Sequence, residues 1–223
     1  MAHFWDILIN LEGDYSQDER EAAIVSSRSM VHFIERSIVG LNFKADFYRL
    51  IIECSKEPVK EEHEFWLQKD PDIATVSIEV ELGDFLKTES AMHDAFEKVI
   101  REGFQAASKY VSLPVDEVND ALDEFIEGGY KSRWIQADKT WKRKKTRAVV
   151  ECDHRVESFD ISQKIFVEDE LIYKEQIVSE MPRERLFHYY LGNLIMRGNT
   201  IFYEKGKSPI TAYDLATRQM TIH

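Results

Sequence analysis

The hydrophobic pattern of this chain changes character once, near Gly128, Gly129 and Tyr130. Before this point, stretches with apolar residues at every third or fourth position alternate with stretches in which they recur at every second position. After it, nearly every apolar stretch has the two-residue period of a strand. A chain that combines helices and strands in this way is expected to form an α+β protein.

The first part, residues 1–130, predicts the element order strand, helix, strand, strand, helix. Its first helix should run from about Asp18 to Val39. This order is that of a ferredoxin-like unit without its final strand. The second part, residues 131–223, predicts a β-rich unit with one helix, in PRERLFHYYLGNLIMRG. Because the link at GGYKS is short, we predict that the two parts pack as a single globular unit.

Two cysteines, Cys54 and Cys152, each end an apolar stretch. We predict two buried, reduced strand thiols, which suit a cytoplasmic protein. The sequence holds neither CxxC nor HExxH, so it predicts no metal site and no cofactor. It has no stretch of 18 apolar residues and no signal peptide at its beginning, so no membrane association is expected.

The net charge of −12 is unevenly distributed. Residues 1–130 hold 12 Lys and Arg against 28 Asp and Glu, whereas residues 131–155 hold 9 against 3. An acidic chain is a poor general binder of nucleic acid, which requires many phosphate contacts from Lys and Arg. The charge instead favours a basic protein partner.

The most acidic stretch is VDEVNDALDEFIEGGY, residues 115–130, with six carboxylates and no Lys or Arg. Its apolar residues recur at helical spacing, so it predicts a helix with one buried side. On the polar side, like charges stand one turn apart, which costs about 0.2–0.5 kcal/mol per pair. We predict that this cost is offset by a partner, and that the partner-binding residues of the helix are Asp116, Asp120, Asp123 and Glu127.

A second candidate site is HEFW, in a predicted loop between residues 57 and 72. Aromatic side chains beside charged residues commonly anchor protein interfaces. We therefore add Glu61, Glu62, Glu64 and Trp66 to the predicted partner-binding residues. The alternative is that Phe65 and Trp66 fold back and cover the core.

A basic belt, KTWKRKKTR at residues 139–147, admits three interpretations. It could contact phosphate or nucleic acid, since aromatic and basic residues are interleaved. It could be an exposed strand whose charges discourage edge pairing. It could also pair internally with the acidic helix. The acidic stretch at 167–175 is more simply a hairpin turn around Glu168, Asp169 and Glu170.

The strongest enzyme candidate is CDHRVE, which groups Asp153, His154 and Arg155. Strand alternation would place Asp153 and Arg155 on one face and His154 on the other, so these groups could not converge without a bend. No Gly-rich phosphate loop or nucleophile motif is present either. The sequence therefore predicts no catalytic residues.

Together these features predict a binding or inhibitory module that captures a basic protein partner. In kind, such an acidic α+β protein resembles bacterial immunity proteins, whose acidic surfaces occupy a cognate toxin; the resemblance is one of class and assigns no residues. Two alternatives belong to other classes. One is an enzyme acting on a nucleotide or phosphorylated substrate through the belt and CDHR, and the other is a structural protein that forms homo-oligomers through free strand edges.

Overall fold

The computed structural model describes residues 2–70 and 72–223 and divides into two compact units, Met1–Ser132 and Arg133–His223. The α-helices are α1 (Gln17–Ser26), α2 (Arg28–Val39), α3 (Glu89–Ala107), α4 (Val115–Glu127) and α5 (Glu184–Phe187). The strands are β1 (Ala2–His3), β2 (Asp6–Leu11), β3 (Lys44–Ala45), β4 (Arg49–Ser55), β5 (Phe65–Lys69), β6 (Asp72–Glu79), β7 (Ser132–Trp141), β8 (Thr146–His154), β9 (Phe159–Val167), β10 (Glu170–Glu180), β11 (Asn193–Arg197), β12 (Thr200–Lys205), β13 (Ser208–Asp214) and β14 (Gln219–Ile222). The predicted α+β class is confirmed.

The main sheet of the first unit has the order β2-β4-β6-β5. β2 and β4 are parallel, β4 and β6 are parallel, and β5 joins β6 as an antiparallel edge strand. The predicted ferredoxin-like arrangement is not confirmed, because β4 lies between β2 and β6 and runs parallel to both. The sequence prediction treated residues 57–72 as a loop, whereas β5 lies within them and pairs with β6.

The helices of the first unit form layers on this sheet. α1 and α2 pack on β2, and α3 packs on β4 and β6. α4 packs on α2 and α3, so the neighbours of its apolar side are other helices. The core between the layers combines apolar residues from strands and helices, among them Ile7, Ile52, Val76, Phe96 and Phe125.

The helix predicted from Asp18 to Val39 is two helices, which meet at Ser27. α1 begins with a capping box, in which the Ser16 hydroxyl accepts from the Glu19 N–H and the Glu19 carboxylate accepts from the Ser16 N–H. Arg28, the first residue of α2, is buried. Apolar spacing continues through the break, which is why it predicts a single helix.

The second unit contains two four-stranded sheets, with the orders β10-β9-β8-β7 and β11-β12-β13-β14. The long helix predicted in PRERLFHYYLGNLIMRG is wrong: α5 has four residues, and the stretch NLIMR forms β11. NLIMR pairs in register with β12, and Gly192, the residue before β11, permits this close approach, because a Cβ there would lie 2.4 Å from the carbonyl oxygen of Glu204. The Gly192 N–H donates to the Tyr203 hydroxyl at 2.9 Å.

Two local predictions are confirmed. Cys54 on β4 and Cys152 on β8 are free, buried thiols, and burial raises the pKa of Cys54 to about 12. The hairpin turn at 167–170 is present between β9 and β10. Its two central residues, Glu168 and Asp169, have positive φ angles of 53° and 68°, as a type I′ turn requires.

Candidate functional site

The acidic surface of the first unit is built on α4. Pro114 precedes the helix, and Gly128 and Gly129 follow it; Gly129 has a positive φ of 71°. The side facing α2 and α3 buries four apolar residues, Val118, Ala121, Leu122 and Phe125. The helix is thus fixed by its apolar side, as its sequence predicts, and its orientation leaves the polar side exposed.

All six carboxylates of α4 are exposed. At 3.6 residues per turn they fall within an arc of about 120°. Two of them, Asp116 and Glu117, lie in the first turn, where the helix dipole favours negative charge. Glu124 and Glu127 lie at the other end, where the dipole disfavours it, and the last turn holds no basic residue. The helix therefore carries more negative charge than its own stability favours.

One carboxylate of this arc has a basic partner. Arg101 on α3 donates to Asp123 at 2.5 Å, to the side-chain oxygen of Asn119 at 3.0 Å and to Glu97 at 3.0 Å. Within the part of the chain that the structure describes, no ion pair forms at the other five carboxylates, Asp116, Glu117, Asp120, Glu124 and Glu127. Arg101 is not among the residues predicted from the sequence, because only the packing of α3 against α4 places it beside Asp123.

An aromatic cluster packs at the C-terminal end of α4. The His93 ring on α3 stacks on Tyr130, with 4.1 Å between ring centroids, and meets Phe125 edge-on. Burial lowers the pKa of His93, which keeps the imidazole neutral near pH 7. His93 is thus a packing residue that holds the end of the acidic helix.

The residues of the HEFW stretch have two different environments, since Glu64 and Phe65 contact the chain that follows α3 and Trp66 is exposed. Glu64 accepts hydrogen bonds from Lys109 at 2.8 Å and from the Tyr110 hydroxyl at 3.0 Å, and both bonds lower the pKa of Glu64. Phe65 stacks on Tyr110 with 5.0 Å between ring centroids. These two residues are therefore held against the chain that follows α3, and Phe65 packs on the core, as the alternative interpretation expected.

The other predicted partner-binding residues of this region, Glu61, Glu62 and Trp66, are exposed. Glu61 and Glu62 form an exposed turn of 3-10 helix with His63. Trp66, on β5, is 41% exposed and does not fold back on the core. Among the described residues, no hydrogen bond or ion pair joins this group to the carboxylates of α4, so the two candidate surfaces are separately held.

The basic belt forms the turn between β7 and β8. Lys145 pairs with Glu168 at 2.7 Å, Arg147 with Asp138 at 2.9 Å, and Lys144 donates to Asn199 at 2.8 Å. β7 is an edge strand, which agrees with the second interpretation of the belt. The belt also lines a cavity of about 480 Å³ together with Glu168 and Asp169.

The three side chains Asp153, His154 and Arg155 do not meet at one site, because His154 lies apart from the other two. Asp153 is held by Arg133 at 2.8 Å and Arg155 at 2.7 Å; burial opposes ionisation, but these hydrogen bonds lower the pKa of Asp153. His154 is buried on the opposite side, where it packs against Phe159 and Phe187. The predicted alternation of these side chains is confirmed.

Neither a metal site nor a membrane span is found in the described ranges 2–70 and 72–223. No three His, Cys, Asp or Glu side chains in them are grouped so that they could hold a metal ion. No helix in them is long and apolar enough to cross a membrane. No known protein family, curated protein or solved structure matches the chain.

Proposed function

We propose that this protein is a binding or inhibitory module that captures a basic protein partner through the acidic face of α4, in the manner of a bacterial immunity protein occupying a toxin. One observation carries the proposal: α4 exposes six carboxylates in one arc, and of these the structure gives an ion-pair partner to Asp123 alone among its described residues. A basic partner would supply the missing charge.

The charge of the first unit supports the same proposal. Residues 1–132 hold 13 Lys and Arg against 28 Asp and Glu, a net charge of −15, while residues 133–223 hold 16 against 13, a net charge of +3. A negative surface of this size attracts a basic partner over distances of the order of the Debye length, about 8 Å at physiological salt. Such steering accelerates association, and exposed aromatics such as Trp66 would then hold the complex.

The enzyme alternative has weaker support. The cavity at the belt contains Lys142, Lys145 and Arg147, which suit a phosphate, but it also contains Glu168 and Asp169, which repel one. Two of its basic residues are already paired with carboxylates. The described geometry therefore favours the binding function over a phosphate-handling site.

The test is affinity capture from an extract of the source organism with three forms of the chain. The first is the natural chain, and the second carries Asp116→Asn, Asp120→Asn, Asp123→Asn and Glu127→Gln. The third is a matched control that removes the same number of charges at exposed carboxylates elsewhere, with Asp14→Asn, Asp46→Asn, Asp94→Asn and Glu157→Gln.

We expect one basic protein to be retained by the natural chain and by the control, and to be lost from the α4 variant. Its retention should also weaken as salt is raised, because exposed charges are screened. Equal retention by all three forms, or capture of this chain alone, would contradict the proposal.

A further inference from the structure

The outer edge of β5 offers a row of backbone groups that the described residues of the first unit do not bind. The Ser77 N–H on β6 donates to the Glu64 carbonyl at 2.9 Å. Hydrogen bonding alternates along an antiparallel pair, so Trp66 and Gln68 also point their backbone groups toward β6. The N–H and C=O groups of Phe65, Leu67 and Lys69 consequently point away from the sheet.

This edge is accessible. β5 is the last strand in its sheet, and all its residues from Trp66 to Lys69 are exposed. Two of them are large apolar residues, Trp66 at 41% exposure and Leu67 at 37%. Of the devices that natural edges use against added strands, β5 has a single Lys and a short length, but neither proline nor a bulge.

The charge around the outer edge of β5 favours one kind of added β-strand. Residues 57–72 hold six Asp and Glu against two Lys. A second copy of β5 placed antiparallel would bring the Glu61 and Glu62 end of one chain beside the Asp70 end of the other, and like charges that face each other across a pair are unfavourable. An extended segment rich in Lys or Arg would instead find opposite charges on both sides.

We propose that the outer edge of β5 binds an extended, basic segment of the partner as an added β-strand. The inference rests on the proposed function and specifies its partner: Phe65, Leu67 and Lys69 would supply the main-chain hydrogen bonds, and Trp66 and Leu67 the side-chain contacts. Strand addition of this kind takes its affinity from the backbone and its selectivity from alternate side chains.

The test uses a synthetic nine-residue peptide of alternating Lys and Val as the probe, titrated into the full chain by calorimetry. Two variants form a matched pair. Leu67→Ala and Leu67→Pro both remove the leucine side chain, but only proline removes the outward N–H. Because that N–H makes no bond to β6, an edge proline here is compatible with the fold. A second probe is the same peptide methylated at every backbone nitrogen, so that neither of its edges can donate to a strand.

We expect the natural chain to bind the peptide and Leu67→Ala to bind it more weakly, because one side-chain contact is lost. Leu67→Pro should bind at least about tenfold more weakly than Leu67→Ala, a change that corresponds to the loss of one good hydrogen bond. The methylated peptide should fail on all three forms, which tests the inference without any change in the protein. Equal binding by the proline and alanine variants, or by the methylated peptide, would show that charge alone holds the segment and would overturn strand addition.

Failure here and failure of the proposed function give different results. If the peptide does not bind the natural chain, or if Leu67→Pro abolishes a dimer of the natural chain, strand addition by a basic segment is wrong. Capture of a basic partner through α4 is judged separately, by the amide variant and its control described above.

Discussion

At one edge of the main sheet of the first unit, Arg28 and Glu35 bind the outward backbone groups of Ile7 on β2. At the other edge, the outward backbone groups of β5 have no partner among the described residues. The Ile7 N–H donates to Glu35 at 2.9 Å, and Arg28 donates to the Ile7 carbonyl at 3.2 Å. The two side chains also pair with each other at 3.1 Å. Together they stand where a neighbouring strand would otherwise bind.

The two edges of the sheet are therefore suited to different roles. Burying Arg28 and Glu35 has a large desolvation penalty, and the pair binds the backbone groups of only one residue of β2. We call the β2 edge sealed because these side chains occupy the place of an added strand. No comparable device protects β5 within the described part of the chain, and β5 carries exposed Trp66 and Leu67. The same contrast holds for α4, where the described residues give an ion-pair partner to Asp123 but to none of the other five carboxylates.

The largest expected effect is at the sealed edge. Above the raised pKa of Glu35, where its carboxylate is ionised, Glu35→Ala should lower the free energy of unfolding by about 3–5 kcal/mol, because it leaves the buried Arg28 charge uncompensated and the Ile7 N–H without an acceptor. Urea unfolding of the natural chain and the variant measures this difference in the free energy of unfolding. The double variant Arg28→Met, Glu35→Leu removes both charges and should lose less, about 1–3 kcal/mol for the groups of Ile7. A loss for Glu35→Ala within about 0.5 kcal/mol, as for surface changes, would contradict the sealed edge.

The next effect is a pH dependence of stability. Burial raises the pKa of Glu35 to about 7, against the opposing effects of Arg28 and the Ile7 N–H. Between pH 4.5 and 7 the folded chain keeps a proton that the unfolded chain has released, so stability should fall as pH rises, by roughly 1–3 kcal/mol. Glu35→Gln cannot titrate and should lack this component when the two unfolding curves are compared across the range. Parallel curves would show that Glu35 does not titrate in this window.

Proline substitutions on β5 should have a smaller effect that depends on the position. At residue 66 the N–H points to β6, so Trp66→Pro should be less stable than Trp66→Ala by about 1–3 kcal/mol. At residue 67 the N–H points outward, and Leu67→Pro should match Leu67→Ala within about 0.5 kcal/mol. Thermal or urea unfolding of the four variants decides this, and the reverse pattern would mean that the outward edge is assigned to the wrong residues.

The smallest expected effect is on α4. Asp116→Asn, Asp120→Asn and Glu127→Gln together should leave stability unchanged or raise it by a few tenths of a kcal/mol, since like-charge pairs cost about 0.2–0.5 kcal/mol each. Adding Asp123→Asn should lower it by up to about 1 kcal/mol, because Arg101 loses its partner. Unfolding measurements on the two variants test this. A clear loss of stability in the triple variant would indicate that these carboxylates have structural partners.

Local patterns predicted the parts of the fold that depend on local physics. The apolar spacing of Val118, Leu122 and Phe125 predicts α4 to within a few residues, and the apolar stretches that end at Cys54 and Cys152 predict two buried strand thiols. Alternation also separates His154 from Asp153 correctly. In each case one side of the helix or strand faces apolar neighbours, so the spacing of apolar residues in the sequence indicates which side is buried.

Long-range geometry decided the features that the sequence did not predict. Nothing in the local pattern shows that Arg28 reaches Ile7 on β2. The apolar stretch LGNLIMR suits a helix or a strand, and the pairing of NLIMR with β12 decides for the strand. β5 was treated as a loop because its charged surroundings and Trp66 are typical of exposed chain, which is also what an open edge strand requires.

For the candidate site, the sequence identified the carboxylates but not their partners. Asp123 and Glu64 are bound by Arg101 and by Lys109 with Tyr110, whose positions depend on how α3 packs. Glu61, Glu62, Trp66 and the remaining carboxylates of α4 are exposed, and their role in partner binding stays a prediction.

Amide hydrogen exchange at Ile7 and Leu67, followed by NMR on the free chain, tests most directly the claim that one edge is sealed and the other open. Both amides point away from their neighbouring strands, so the local geometry is matched. We predict that Ile7, bonded to Glu35, exchanges only when the unit unfolds, and that Leu67 exchanges rapidly. Slow exchange at Leu67 in the free chain would mean that the β5 edge is already occupied, and rapid exchange at Ile7 would mean that Glu35 does not seal β2; either result would contradict the account.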